Sequence, residues 1–247
     1  MFFLRRSTIV VDCFVNSQPI HDLFPIRKAN HFYPEWWKDL PKTFEVKSEF
    51  DVNVPVSTMK SCIGFINLYR NGFILPLWSD LIIEKDINGC RYQFSSPDNQ
   101  GIHDHDPAQY VGAFENSTHM KILSPWILKE KTGVNFLWTE PTWNNITLFE
   151  NLNVLPGIMD FKYQHGSNIN ALIPNIDIKL LIKAGEPLVH IIPISEKDVK
   201  IKTHVITENE YKKMNVGSYS SSFYHKYNTN KKILEANEKK CPFGFGK

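Results

Sequence analysis

Hydrophobic positions in this chain fall in short runs, many alternating with polar ones, the period-two signature of half-buried strands. Residues 7–15 (STIVVDCFV) read as a first strand, and 73–85 (FILPLWSDLIIEK) as two, split by Pro76 and the polar pair Ser79-Asp80. Asn88-Gly89 lies between LIIEKDI and CRYQFSS, a strong short-range hairpin signal. Further strands are predicted at 120–128, 134–138, 154–159, 168–173, 176–182, 188–194 and 199–206, punctuated by turn residues such as Pro156-Gly157 and Ala184-Gly185. This spacing predicts a mainly β domain over residues 1–206, a β-clip-like fold or a sandwich or barrel.

Helical patterns are few. Asp106-Pro107-Ala108-Gln109 places a good N-cap before a proline and predicts a short helix over 107–115. Residues 34–39 (PEWWKD) suit one or two turns. Thr207 and Glu210 have capping-box spacing, so 207–214 is predicted helical, and 231–240 (KKILEANEKK) suits a short amphipathic helix. Residues 207–247 thus read as a helical, flexible and basic C-terminal extension.

Composition narrows the class. With 247 residues, 42% hydrophobic, and 17 Phe, 9 Tyr and 6 Trp, the chain can build a core without disulfides or a structural metal. Twelve glycines without a repeat exclude a collagen-like chain. Net charge is +2, but residues 211–247 hold eight lysines against Glu235 and Glu238. Contact with nucleic acid is therefore expected through this basic tail or not at all. Cys13, Cys62, Cys90 and Cys241 lie far apart, without the pairing of a zinc ribbon or redox motif, and read as reduced thiols in a cytoplasmic compartment. The start carries its charges after the first apolar residues and reads as a strand, not a signal peptide, and no run is long enough for a transmembrane helix.

Three stretches, FYPEWWKDLP (32–41), MKSCIGFINLYRNGFILPLWSDLIIE (59–84) and ILSPWILKEKTGVNFLWTEP (122–141), precede GIMDFKY (157–163) and IKAGEPLVHIIPI (182–194). In order and spacing they resemble an uncharacterised family of cyanophage, other marine-virus and bacterial proteins. The abundance of Asn, Lys, Ile, Tyr and Phe matches an AT-rich genome of that kind. Within these stretches, Gly157-Ile158-Met159-Asp160-Phe161-Lys162-Tyr163 resembles the deoxynucleoside-binding hairpin of dUTPases and dCTP deaminases, which have a β-clip fold. That resemblance implies a nucleotide or other small polar ligand, with Asp160 orienting a water, Tyr163 stacking on a deoxyribose, and His165 and His190 nearby. The same likeness implies that Asp160 and Tyr163 line one concavity near the Gly185 turn. The phosphate-holding Pro-Arg-Ser-Gly segment of dUTPases has no counterpart, and no arginine follows Arg91.

Two alternatives stand beside that reading. In Gly101-Ile102-His103-Asp104-His105-Asp106-Pro107-Ala108-Gln109, His-x-His places two imidazoles on one face of an extended strand, as cupins do for iron, manganese or zinc. A metal-dependent enzyme would then use His103, His105, Gln109 and His190, although Gln is a weak ligand for such metals and Asp106-Pro107 would break the strand after His105. The second alternative is a virion structural or assembly protein, a homo-oligomer whose copies pair through exposed strands and the tail. Phe32, Tyr33, Trp36 and Trp37, with Trp78, Trp126, Trp138 and Trp143 further along, could stack on a base or sugar, or fill and cover the β-core.

Overall fold

Alternation along the chain becomes alternation across sheets in a computed structural model that describes residues 8–96, 101–215, 227–229, 231–233 and 235–236. Ile9–Val15 buries every second side chain. It runs parallel to Val199–Val205 and antiparallel to Ile127–Glu130. Phe73–Pro76 is buried along its whole length because it lies inside a sheet and is covered on both faces. Its sheet runs in the order Gly157–Asp160, Asn135–Thr139, Pro187–Pro193, Phe73–Pro76, Arg27–Lys28. A third sheet orders Asn153–Val154, Ile169–Pro174, Ser117–Ile122 and Ile102–Asp104, and a fourth Ile178–Ile182, Leu81–Asp86 and Gly89–Phe94.

These four sheets send side chains into one core, among them Val11, Leu75, Leu81, Met120, Phe136 and Ile173. The chain is therefore mainly β, with its sheets layered around that core as in a sandwich, and no sheet among the described residues closes into a barrel. Among the described residues no helix is long and apolar enough to cross a membrane.

Local chemistry explains where the elements differ from the sequence expectation. The runs 120–128 and 154–159 each divide into two strands at Ser124-Pro125 and Pro156, since proline cannot donate to a ladder. The expected hairpin forms, but Asp86 pairs with Gly89, so the chain reverses at Ile87-Asn88 and Gly89 takes a φ of 136°. Asp106 does cap Ala108 at 2.9 Å, yet the helix expected over 107–115 is one 3-10 turn, Pro107–Tyr110. The capping box holds: Glu210 accepts from the Thr207 amide, and Thr207 Oγ1 accepts from that of Glu210, at the start of Glu208–Asn215. Residues 231–233 and 235–236 are helical, while the rest of the segment 231–240, Cys241 and the end of the basic tail lie outside the described residues.

A smaller aromatic layer covers the outer face of the Phe73–Pro76 strand. Helix Ile63–Asn71 buries Phe65 and Tyr69 there, packed with Ala29 and Ile74. Tyr33 stacks on Trp37 at 4.3 Å and on Tyr69 at 4.8 Å, while Trp36 meets Trp143 at 6.0 Å. These rings pack chiefly on one another. Cys13 is buried in the main core, and burial pushes its thiol pKa up, the behaviour of an inert small hydrophobe.

Candidate functional site

Asp160 ends a strand whose register sets it opposite Asn135. Its carboxylate accepts from the Lys162 amide at 3.0 Å and from the Tyr227 hydroxyl at 3.1 Å. Its carbonyl accepts from the amides of Tyr163 and Gln164, so the residue organises a tight turn. Tyr163 is 9% exposed and meets the Tyr227 ring edge-on at 5.7 Å. His165 Nε2 lies 3.3 Å from the Lys162 carbonyl. The sheet register sets Asp160 level with Ile194, because the Ile194 amide donates to Asn135. Gly185 precedes the opposite end of Pro187–Pro193, so the two turns are separated by roughly 25–30 Å of strand. Asp160 and Tyr163 share one turn, but away from Gly185 and in contact with Tyr227.

His103 and His105 lie at the edge of the third sheet, where His103 pairs with Lys121 and the His105 amide donates to the His119 carbonyl. The strand ends at Asp104, and the 3-10 turn after Asp106 carries Gln109 back toward His105. His105 Nδ1 is 2.8 Å from Gln109 Oε1, and its Nε2 is 3.1 Å from Asn170 Oδ1. The His119 ring stacks on His105 at 4.1 Å, and burial, then the neighbouring His105, lowers the His119 pKa. His105 and Gln109 are thus neighbours, but side-chain amides occupy both imidazole nitrogens.

His190 belongs to a different sheet. It points into the aromatic layer, 2% exposed, with its ring 5.7 Å from that of Tyr69. A Cβ at Gly72 would lie 2.2 Å from His190 Nε2, so only glycine admits the imidazole there. Among the described residues Nε2 finds no hydrogen bond of ordinary geometry; burial lowers its pKa to about 4, with the Leu68 carbonyl pulling the other way. Among the described residues no group of three or more His, Cys, Asp or Glu converges to hold a metal ion, so His103, His105 and His190 form no common site.

A cleft of about 170 Å³ opens between the third sheet and helix Glu208–Asn215. His103, Lys121, Trp126, Ser167 and Tyr211 line it, and the Trp126 indole nitrogen is buried without a partner among the described residues. Burial lowers the Lys121 pKa. The cleft's lining mixes His103, Lys121 and Ser167 with apolar and aromatic side chains, and of these five residues sequence reasoning singles out His103 as a candidate ligand and Trp126 as a ring that could stack.

The feature that sequence reasoning missed altogether lies between two of the quoted stretches. Thr43–Lys47 and Asn53–Ser57 form an isolated antiparallel hairpin, the arm. All ten of its strand residues are exposed, and none joins either core. Phe44 pairs with Val56 and Val46 with Val54, so these four apolar side chains share one face. Thr43, Glu45, Lys47, Asn53, Pro55 and Ser57 form the other. At the tip Phe50 is 86% exposed and Val52 58%.

The arm is well built despite its isolation. Lys47 pairs with Asp51 at 2.7 Å, Asn53 donates to Glu45 at 3.1 Å, and Ser48 Oγ accepts from the amides of Phe50 and Val52. At its root the Thr58 amide donates to the Lys42 carbonyl, and Lys60 donates to the carbonyls of Trp37 and Lys38 while lying over the Trp37 ring. The signal that could have found it is plain: TFEVK and NVPVS alternate, around a five-residue connection.

Compared with known proteins, the chain matches no family model and no curated sequence.

Proposed function

We propose that this chain is a structural or assembly protein, the virion alternative raised above, and that its copies associate through the arm. One observation carries this reading: a two-stranded hairpin presents four apolar side chains on one face, all exposed, that join neither core and pair with no further strand among the described residues. Two strands alone are marginal in water, and a sheet becomes stable when further strands or another layer join it. The exposed apolar side chains of the arm offer on the order of 500 Å², toward the upper end of the largest patch on an ordinary monomer. The firm root at Thr58 and Lys60 holds that surface out as a docking element.

The other readings find less to build on. The Asp160 carboxylate is engaged by Lys162 and Tyr227, and His190 is sealed behind Gly72. The test replaces residues 43–57 with two glycines, which the Lys42–Thr58 backbone bond already positions for a short turn. Because the arm feeds neither core, thermal unfolding should keep its midpoint within a few degrees. Light scattering should show oligomers of the full chain and monomers of the shortened one. A full chain that stays monomeric at every concentration, or a shortened chain that still associates, would overturn the reading.

A further inference from the structure

Hydrogen bonds at the two ends of the arm fix which backbone groups face outward. The Thr58 amide donates to Lys42, and that of Ser48 to Val52. In an antiparallel ladder bonded and non-bonded pairs alternate. Phe44 and Val46 therefore spend their backbone groups within the arm, whereas Thr43, Glu45 and Lys47 turn theirs to the outside. That outer edge hydrogen-bonds to no other strand among the described residues. The opposite edge carries Pro55 at its centre, facing Glu45. Proline has no amide to give, and natural sheets use it to close an edge against further pairing. The arm thus has one open edge and one blunted edge.

From this we infer that a second copy of this chain adds its own Thr43–Lys47 strand antiparallel to the first, about a two-fold axis at Val46, making a four-stranded sheet that ends at Pro55 on both sides. The inference rests on the assembly reading above and adds the edge and the register. Charge selects the register. With the axis at Val46, Glu45 of each copy faces Lys47 of the other, and these two residues are the ones whose outward backbone groups exchange hydrogen bonds. Shifting the axis to Glu45 or to Lys47 would place like charges directly opposite, which is unfavourable in a sheet. On the apolar face the same axis brings the two Val46 side chains together, flanked by Phe44, Val54 and Val56 of both copies. The arrangement is isologous, so each copy offers the same surface, and the prolines stop growth at two copies.

The experiment is sedimentation equilibrium or light scattering on the full chain and a set of variants. Wild type should be a concentration-dependent dimer. Glu45→Lys and Lys47→Glu should each weaken association at least tenfold, and the double exchange Glu45→Lys/Lys47→Glu should restore it. Glu45→Pro, which removes an outward amide and the Asn53 side-chain contact while sparing the backbone bonds inside the arm, should abolish association with the circular-dichroism spectrum unchanged. If wild type is dimeric and indifferent to all of these, but loses association in Phe44→Lys/Val54→Lys, the arms pack face to face; the edge and register are then overturned while the assembly reading stands. A monomeric wild type overturns both, and oligomers larger than two overturn the closure at Pro55.

Discussion

Single residues here reveal their roles through what burial leaves them to bond with. His190 is an imidazole inside an aromatic layer, and its pKa falls to about 4 from the ordinary 6.5. The unfolded chain therefore binds a proton between pH 6.5 and 4 that the folded chain refuses, so stability falls as pH falls through this window, by about 3 kcal/mol in all. His190→Leu should flatten this part of the stability-against-pH curve in urea titrations, leaving the acid limb set by carboxylates below it; an unchanged slope would show that the imidazole titrates normally. Glu130 makes the complementary case. It is 3% exposed, and its two oxygens accept from the amides of Thr132, Gly133 and Val134. Glu130→Ala would orphan three donors in the turn where Gly133 has a φ of 79°. A loss of about 3 kcal/mol is expected in the same titrations.

Elements were legible in the sequence where one residue's chemistry dominated its neighbours. Ile9–Val15, the break at Ser79-Asp80 and the Thr207–Glu210 box all follow directly from period and capping. The helix expected after Asp106 is only one turn, in which the Gln109 and Tyr110 side chains reach back four and five residues to His105 instead of continuing the helix. Helix Ile63–Asn71 was missed because its apolar residues run on into the Phe73–Pro76 strand, with only the short break Arg70-Asn71-Gly72 between them. The candidate sites fared unevenly for the same reason. Proximity in the sequence is enough to bring Gln109 to His105 and Tyr163 to the turn of Asp160. Bringing His190 to either pair depended on sheet order, which no spacing rule encodes. The arm was legible by alternation, but its importance depends on what does not pack against it, a property visible only once the cores are known.

At the scale of the whole molecule the question is whether the aromatic layer is a separate unit. It shares the strand Phe73–Pro76 with the main core: Ile74 faces the layer while Phe73 and Leu75 belong to the core. His190 does the same on the neighbouring strand, between Val189 and Ile191. Neither cluster can lose its packing without stripping one face of strands that hold the other. Unfolding should therefore be a single cooperative transition. Tryptophan is well placed to report it, because Trp36, Trp37 and Trp143 belong to the aromatic layer while Trp78, Trp126 and Trp138 are buried in the main core. Tryptophan fluorescence and far-ultraviolet circular dichroism should give coincident urea curves, measured on the Glu45→Pro variant so that association does not enter. Two resolved steps, with fluorescence changing before the sheet signal, would mean that the layer unfolds independently, and that the root of the arm rests on a surface less firm than the four sheets beneath it.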